Sequence, residues 1–295
     1  MIYYCNALSH YTLGKLTDMG KESMVEQPFD SLSEMIELAD NYHRRGYVRE
    51  AAEMQEQALD AQQSMIGEEH QQTLALMNDL ANSYTQLDRL LDAMELQEKV
   101  INASKRLFGD DHPATLFSIN NLANTYNQMG QPQKAMSLQR KIIQTSERVL
   151  GEGHPNTLTF SNNLANSQYS LGQVQQAMEL HAKVTKMRSN IFGDEHPDTL
   201  TSMNNLASAY SKLGHNIPAI KLLETVVESR RRILGEEHRN TFASMNNLAN
   251  CYNDVGYVQK ALKLRESIVE VSIKMHGEED PRTITAMQKP CQHIR

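Results

Sequence analysis

The sequence predicts an all-α protein, built as a solenoid of stacked antiparallel helix pairs. Three observations predict it. Glycines at 67, 109, 151, 193, 235 and 277 stand 42 residues apart without a slip, and a fixed period of this size is the mark of a repeat array. The composition is rich in helix formers, with 16 Met, few Gly (14) and Pro (8), and no Trp. Within each period the apolar residues fall on a helical stripe, as at Leu200, Met203, Leu206, Ala207 and Tyr210.

Other columns keep the same step. Leu80, Leu122, Leu164, Leu206 and Leu248 are each followed by Ala. A turn column runs Gly46, Asp88, Gly130, Gly172, Gly214, Gly256, and a further column holds Ala51, Ala93, Ala135, Ala177, Ala219 and Ala261. Each unit therefore reads as two helices. The first, typified by Asp198–Gly214, has Asp198 and Thr199 as its expected N-cap residues and Pro197 just upstream, where it interrupts no hydrogen bond. Gly214 is the expected left-handed stop. The second helix is expected from about Pro218 to Leu234, with Gly235 ending it. One pair alone cannot bury its apolar faces, whereas stacked pairs share a continuous core.

These columns resemble the tetratricopeptide repeat, whose first helix carries Leu-Ala/Gly-x-x-Tyr, whose turn holds Gly, and whose second helix has Ala five residues later. Here they are Leu206, Ala207, Tyr210, Gly214 and Ala219. The 42-residue period and the "LGEEH" type of linker resemble the variant of kinesin light chains and of repeat arrays fused to nucleotide-binding signalling domains. The resemblance implies a right-handed superhelix over residues 25–288, in about six units. Residues 1–24 are expected to be a degenerate helical segment and 289–295 an irregular tail. Departures are Ile36-Glu37 in place of the doubled Asn, Gln168 in place of Tyr, and Gln71 and Arg239 in place of the loop Pro. The last unit collapses at Lys289-Pro290-Cys291, where Pro breaks the helix, which leaves an uncapped C-terminal edge and suggests self-association through it.

The bulk properties narrow the function classes. A net charge of −7 is not the footprint of a nucleic-acid binder. Cys5, Cys251 and Cys291 share no metal or redox spacing and suit reduced thiols. No stretch approaches the roughly 20 apolar residues of a membrane span. The N-terminus lacks the pattern of a signal peptide, so a cytoplasmic location is expected.

Candidate chemistry is sparse. His70, His112, His154, His196 and His238 form a column, but units stack about 10 Å apart and metal–nitrogen bonds are about 2 Å; the expectation is that they shape the turn and bond the next helix start. Residues Gly14–Ser23 glance at a phosphate loop but miss its spacing. Arg230-Arg231-Arg232 reads as a solvated face or, more sharply, an acidic-peptide contact. No catalytic motif, metal site or cofactor is expected.

The recurring asparagines remain. Asn is a poor helix-interior residue, yet it stands two before the Leu at Asn78, Asn120, Asn162, Asn204 and Asn246. It stands two after the Leu at Asn82, Asn124, Asn166 and Asn250, with Ser208 in the fourth rung. The two columns are four apart, on one helical face. The family resemblance places that face in a concave groove, where amides offer a donor and an acceptor to a peptide backbone. Inter-repeat hydrogen bonding is the competing reading of the ladder. The middle residues, Asn121, Asn163, Asn205 and Asn247, are expected to bond the neighbouring unit. Groove positions are neutral, so a carboxylate clamp is not supported. The function expected is a non-catalytic scaffold binding an extended protein or peptide segment, like a kinesin-light-chain adaptor. The alternative is a sensor or autoinhibitory region detached from a larger NB-ARC/NACHT-type signalling protein.

Overall fold

The computed structural model describes residues 32–280 and 283–284. The expectations for residues 1–24, including the phosphate-loop glance, and for the C-terminal tail and its uncapped edge lie outside the described residues. Among the described residues twelve helices follow one another: α1 (Leu32–Arg44), α2 (Val48–Ile66), α3 (Gln71–Gln86), α4 (Leu90–Phe108), α5 (Pro113–Gln128), α6 (Pro132–Leu150), α7 (Pro155–Ser170), α8 (Val174–Phe192), α9 (Pro197–Lys212), α10 (Asn216–Leu234), α11 (Arg239–Asp254) and α12 (Val258–His276). Odd-numbered helices are the first of each unit and even-numbered ones the second. Each packs against its neighbours in sequence.

Odd helices from α3 onward begin on histidine. His70, His112, His154, His196 and His238 take an extended backbone, and each Nδ1 accepts the N–H two residues on, at 3.1–3.2 Å. This bears out the turn-forming role of the column and corrects the N-cap in the fifth unit. The cap is His196; Pro197, Asp198 and Thr199 follow inside the first turn. Gln71 and Arg239 start their helices in the same register as the prolines elsewhere, because the cap supplies the signal.

The two glycine columns obey different rules. Gly235 closes α10 at φ 84, ψ 167, and the other even-helix caps match it. That backbone region is essentially restricted to glycine, so the column has no exception. The odd-to-even turn is a Schellman closure: His215 N–H reaches Tyr210 O at 2.8 Å and Gly214 N–H reaches Ser211 O at 2.9 Å. It needs only a left-handed residue, which an Asp tolerates, and Asp88 takes it at φ 61. The second helix starts at Asn216, two residues before Pro218, which sits in the first turn, where a missing N–H costs nothing.

The core is set by small residues at the helix crossings. Ala51, Ala93, Ala135, Ala177, Ala219 and Ala261 are fully buried, as are Ala81, Ala123, Ala165, Ala207 and Ala249. A larger side chain at either column would push the helices apart. Leucines 80, 122, 164, 206 and 248 fill the space beside them.

Candidate peptide-binding groove

The side on which the array is concave follows from which helices meet. Among the described residues, the backbones of odd helices come close to the next odd helix (α3 with α5, α5 with α7, α7 with α9, α9 with α11), while no even helix comes so near the next even one, which it reaches only by long side chains such as Lys260 to Glu224 and Arg231 to Ser267, both at 3.4 Å. The odd helices therefore line the inner, tighter face. The asparagine columns lie on that layer.

The two columns have different surroundings. In the first, Asn120 and Asn162 are buried, at 2% and 6% exposure, and Asn78, Asn204 and Asn246 are half-buried. Their oxygens are taken by the middle asparagine of the next unit. Asn163 Nδ2 donates to Asn120 Oδ1 at 3.0 Å, Asn205 Nδ2 to Asn162 Oδ1 at 3.3 Å, and Asn247 Nδ2 to Asn204 Oδ1 at 3.3 Å. Asn163, Asn205 and Asn247 thus bond the neighbouring unit as expected, and the acceptor they use is the inner ladder; the same expectation for Asn121 is not met. Asn78 donates to Leu74 O and weakly to Ser118 Oγ, and Asn246 to Phe242 O. One link of the series is open: Asn78 Oδ1 and Asn121 Nδ2 are both buried and without a hydrogen-bond partner.

The second column points further out. Asn82, Asn124 and Ser208 are half-buried, and Asn166 and Asn250 are exposed. Ser208 returns its hydroxyl to Asn204 O at 3.0 Å. Asn166 Oδ1 accepts a long bond from Asn205 Nδ2 at 3.4 Å, and Asn250 Oδ1 accepts from Arg265 at 3.0 Å. An amide here keeps hydrogen-bonding capacity for a ligand.

Phe117 escaped the sequence reading. It is 43% exposed and lies three residues before Asn120 and seven before Asn124, on the same helical face. Its column otherwise carries Ala75, Thr159, Thr201 and Ala243. A Phe among small residues was the available signal.

The basic run is neither a plain solvated face nor one contact. Arg230 is 4% exposed and spans three helices, donating to Asn240 O at 3.0 Å, Ser244 Oγ at 2.6 Å and Thr201 Oγ1 at 3.0 Å. Arg231 pairs with Glu236 at 2.9 Å, and Arg232 with Glu195. Arg188 repeats the Arg230 arrangement one unit earlier, on Asp198 O, Ser202 Oγ and Thr159 Oγ1.

The comparisons agree with this geometry. A family model described as tetratricopeptide repeat matches residues 31–105, 72–147 and 157–232. A putative kinesin light chain from Podosopora anserina, described by its nearly identical TPR-like repeats, is 32% identical in sequence. The match covers 70% of this chain and 98% of that one, with a TM-score of 0.57. A Rap protein complexed with Competence and Sporulation Factor is 11% identical over 88% of this chain and 75% of its own (TM-score 0.63). A signal transduction ATPase from Pyrococcus horikoshii with a tetratricopeptide repeat sensor is 15% identical over 88% of this chain and 41% of its own (TM-score 0.58). These two share the fold. No curated protein sequence matches. No described helix is long and apolar enough to cross a membrane.

Proposed function

Because the chain belongs to the tetratricopeptide repeat family, we propose that it is a non-catalytic scaffold whose concave face holds an extended segment of a partner protein, as a kinesin-light-chain-like adaptor. The observation that carries this reading is the division of labour between the asparagine columns. The inner one is committed to its own stack. The outer one, Asn82, Asn124, Asn166, Ser208 and Asn250, leaves polar groups on the concave surface in every rung. Phe117 adds an aromatic anchor beside them, of the kind that dominates interface energies. The alternative, a sensor region of a larger signalling protein, has a likeness of fold alone beside it.

The test is a phage-displayed library of random peptides selected on the array. Peptides recovered on the wild type lose at least about tenfold in affinity, ~1.4 kcal/mol, on a chain carrying Asn82→Ala, Asn124→Ala and Asn166→Ala. The melting temperature of that chain stays within about 2 °C. The inner variant, Asn120→Ala, Asn162→Ala and Asn204→Ala, melts several degrees lower, since each change strips a partner from a packed amide. Unchanged binding by the outer variant would refute the groove assignment.

A further inference from the structure

The last turn of each even helix carries a residue that the packing leaves uncovered. Met65, Leu107, Val149, Ile191, Ile233 and Met275 stand 42 residues apart, two before the capping glycine, and all are exposed, from 36% to 72%. The column immediately before it runs through Ser64, Arg106, Arg148, Asn190, Arg232 and Lys274. Polar chemistry is thus tolerated one position away, yet in six rungs this column never uses it. Single exposed aliphatics are ordinary, whereas a row in register is not.

The ridge is firmly backed. Behind it, Phe108 stacks on His112 and Phe192 on His196, at centroid distances of 4.8 and 4.7 Å. Ile191 leans over the loop that begins its unit: a Cβ on Gly153 would lie 3.5 Å from Ile191 Cδ1. Ile191 is therefore held in place before any partner arrives, which lowers the ordering cost of binding there.

Spacing and charge say what fits. Successive units stack about 10 Å apart, and the rungs, carried by the outer even helices, are spaced at least that far. Seven residues of an α-helix rise about 10.5 Å and return close to the same face. In an extended strand that distance is about three residues, which point to alternate faces. The five loops from Gly67 to His238 carry nine carboxylates, against five basic side chains in the last turns of the helices that precede them. A second copy of this chain would bring the same sign to the same place, and an anionic bilayer would be repelled. We propose that this edge is a second docking surface, distinct from the concave face, and that its occupant is a cationic amphipathic helix of a partner protein that sets one aliphatic side chain per heptad against successive rungs.

The probe is a fluorescent Ala/Lys peptide of about three heptads with one Leu per heptad, long enough to be helical. It is titrated by anisotropy at about physiological ionic strength, where surface charge is partly screened. The wild-type chain binds it. The variant Val149→Asn, Ile191→Asn and Ile233→Asn loses at least about tenfold in affinity while melting within about 2 °C, because the sites are exposed. A peptide with its Leu residues moved out of heptad register, and one with Glu for Lys, both lose comparably. The outer-asparagine variant binds as the wild type does. The proposal fails if the triple variant binds unchanged, or if a Leu-free Lys peptide binds equally well. It fails too if the outer-asparagine variant loses the peptide. Sedimentation showing a wild-type dimer that the ridge variant dissolves would assign the edge to a second copy. Flotation with phosphatidylserine vesicles that the ridge variant abolishes would assign it to membrane.

Discussion

Between α2 and α3, α4 and α5, and α6 and α7, a buried amide on the even helix meets a hydroxyl on the odd one. Ser83 donates to Gln55 Oε1 at 2.7 Å, Thr125 to Gln97 at 2.9 Å and Ser167 to Gln139 at 2.6 Å. Between α8 and α9, and between α10 and α11, the same columns hold His181 with Ala209 and Leu223 with Cys251. In those two seams, and only there among the described residues, a buried arginine appears two turns further along the even helix, as Arg188 and Arg230, where Gln62, Ser104, Ser146 and Ser272 stand elsewhere. The buried polar link of the seam has moved rather than vanished, and between α10 and α11 Tyr252 Oη also donates to Glu224 Oε1 at 2.6 Å. An apolar seam between helices slides easily, and one directional bond fixes its register; these rungs differ in where along the seam that bond sits.

The arginines give the largest test. Each places three hydrogen bonds on two helices besides its own, with little water to replace them. Arg188→Ala or Arg230→Ala should cost about 2–4 kcal/mol, as a hole plus lost charge-assisted bonds. Urea unfolding followed by circular dichroism reads the loss as a lower midpoint. A wild-type midpoint in both variants would remove the relocated-link account.

Acid distinguishes the two regions next. His181 is 1% exposed, and burial, helped by Arg188, pushes its imidazole down to about 4 from the ordinary 6.5. The unfolded chain takes up this proton first. The stability His181 contributes is therefore intact above pH 6.5 and is lost as pH falls from 6.5 toward 4, by on the order of 2–3 kcal/mol. His181→Gln restores the residue type of the other seams and should flatten that part of the melting-temperature profile. An unchanged slope would place the acid sensitivity elsewhere.

The smallest effect sharpens the comparison by converting one seam into the other. Gln139→Leu alone strips Ser167 of an acceptor and should cost about 1 kcal/mol. Adding Ser167→Ala reproduces the apolar chemistry of the later seams and should recover part of that loss, the remainder being the bond that Asn127 Nδ2 donates to Ser167 Oγ at 2.7 Å. A double variant no better than the sum of its singles would show that the amide matters for more than this one bond.

Much of this was legible in one dimension. A fixed period projects each column onto one structural environment, so the glycine stops, the alanine crossings and the bonding of Asn163, Asn205 and Asn247 could be read from spacing. What escaped depends on side-chain reach. Asp198 and Thr199 have the usual composition of an N-cap, but the backbone enters the helix at His196, whose Nδ1 is an equally good acceptor. Arg230 and Arg232 are two apart on one helix, yet one threads beneath the next unit and the other crosses to a loop acid. The inner asparagines sit on the groove face by periodicity. Their burial arises from the close approach of adjacent odd helices, which no single-unit pattern encodes.

The loop contacts at the ends of the even helices bear on how such a chain changes length. Arg106 pairs with Glu69 and Arg148 with Asp111, each 37 residues apart and therefore inside one period that runs from capping glycine to the next. Arg232 and Glu195 do the same. Where the acid is missing, at Gly153, the base of that same period is missing too, at Asn190, and Ile191 covers the gap. Three periods thus carry their own clasp, each complete in one copying event. A gene that duplicates or deletes a whole period neither strands a charge nor orphans a partner, so the number of rungs is free to drift while the chemistry of each clasp is inherited intact.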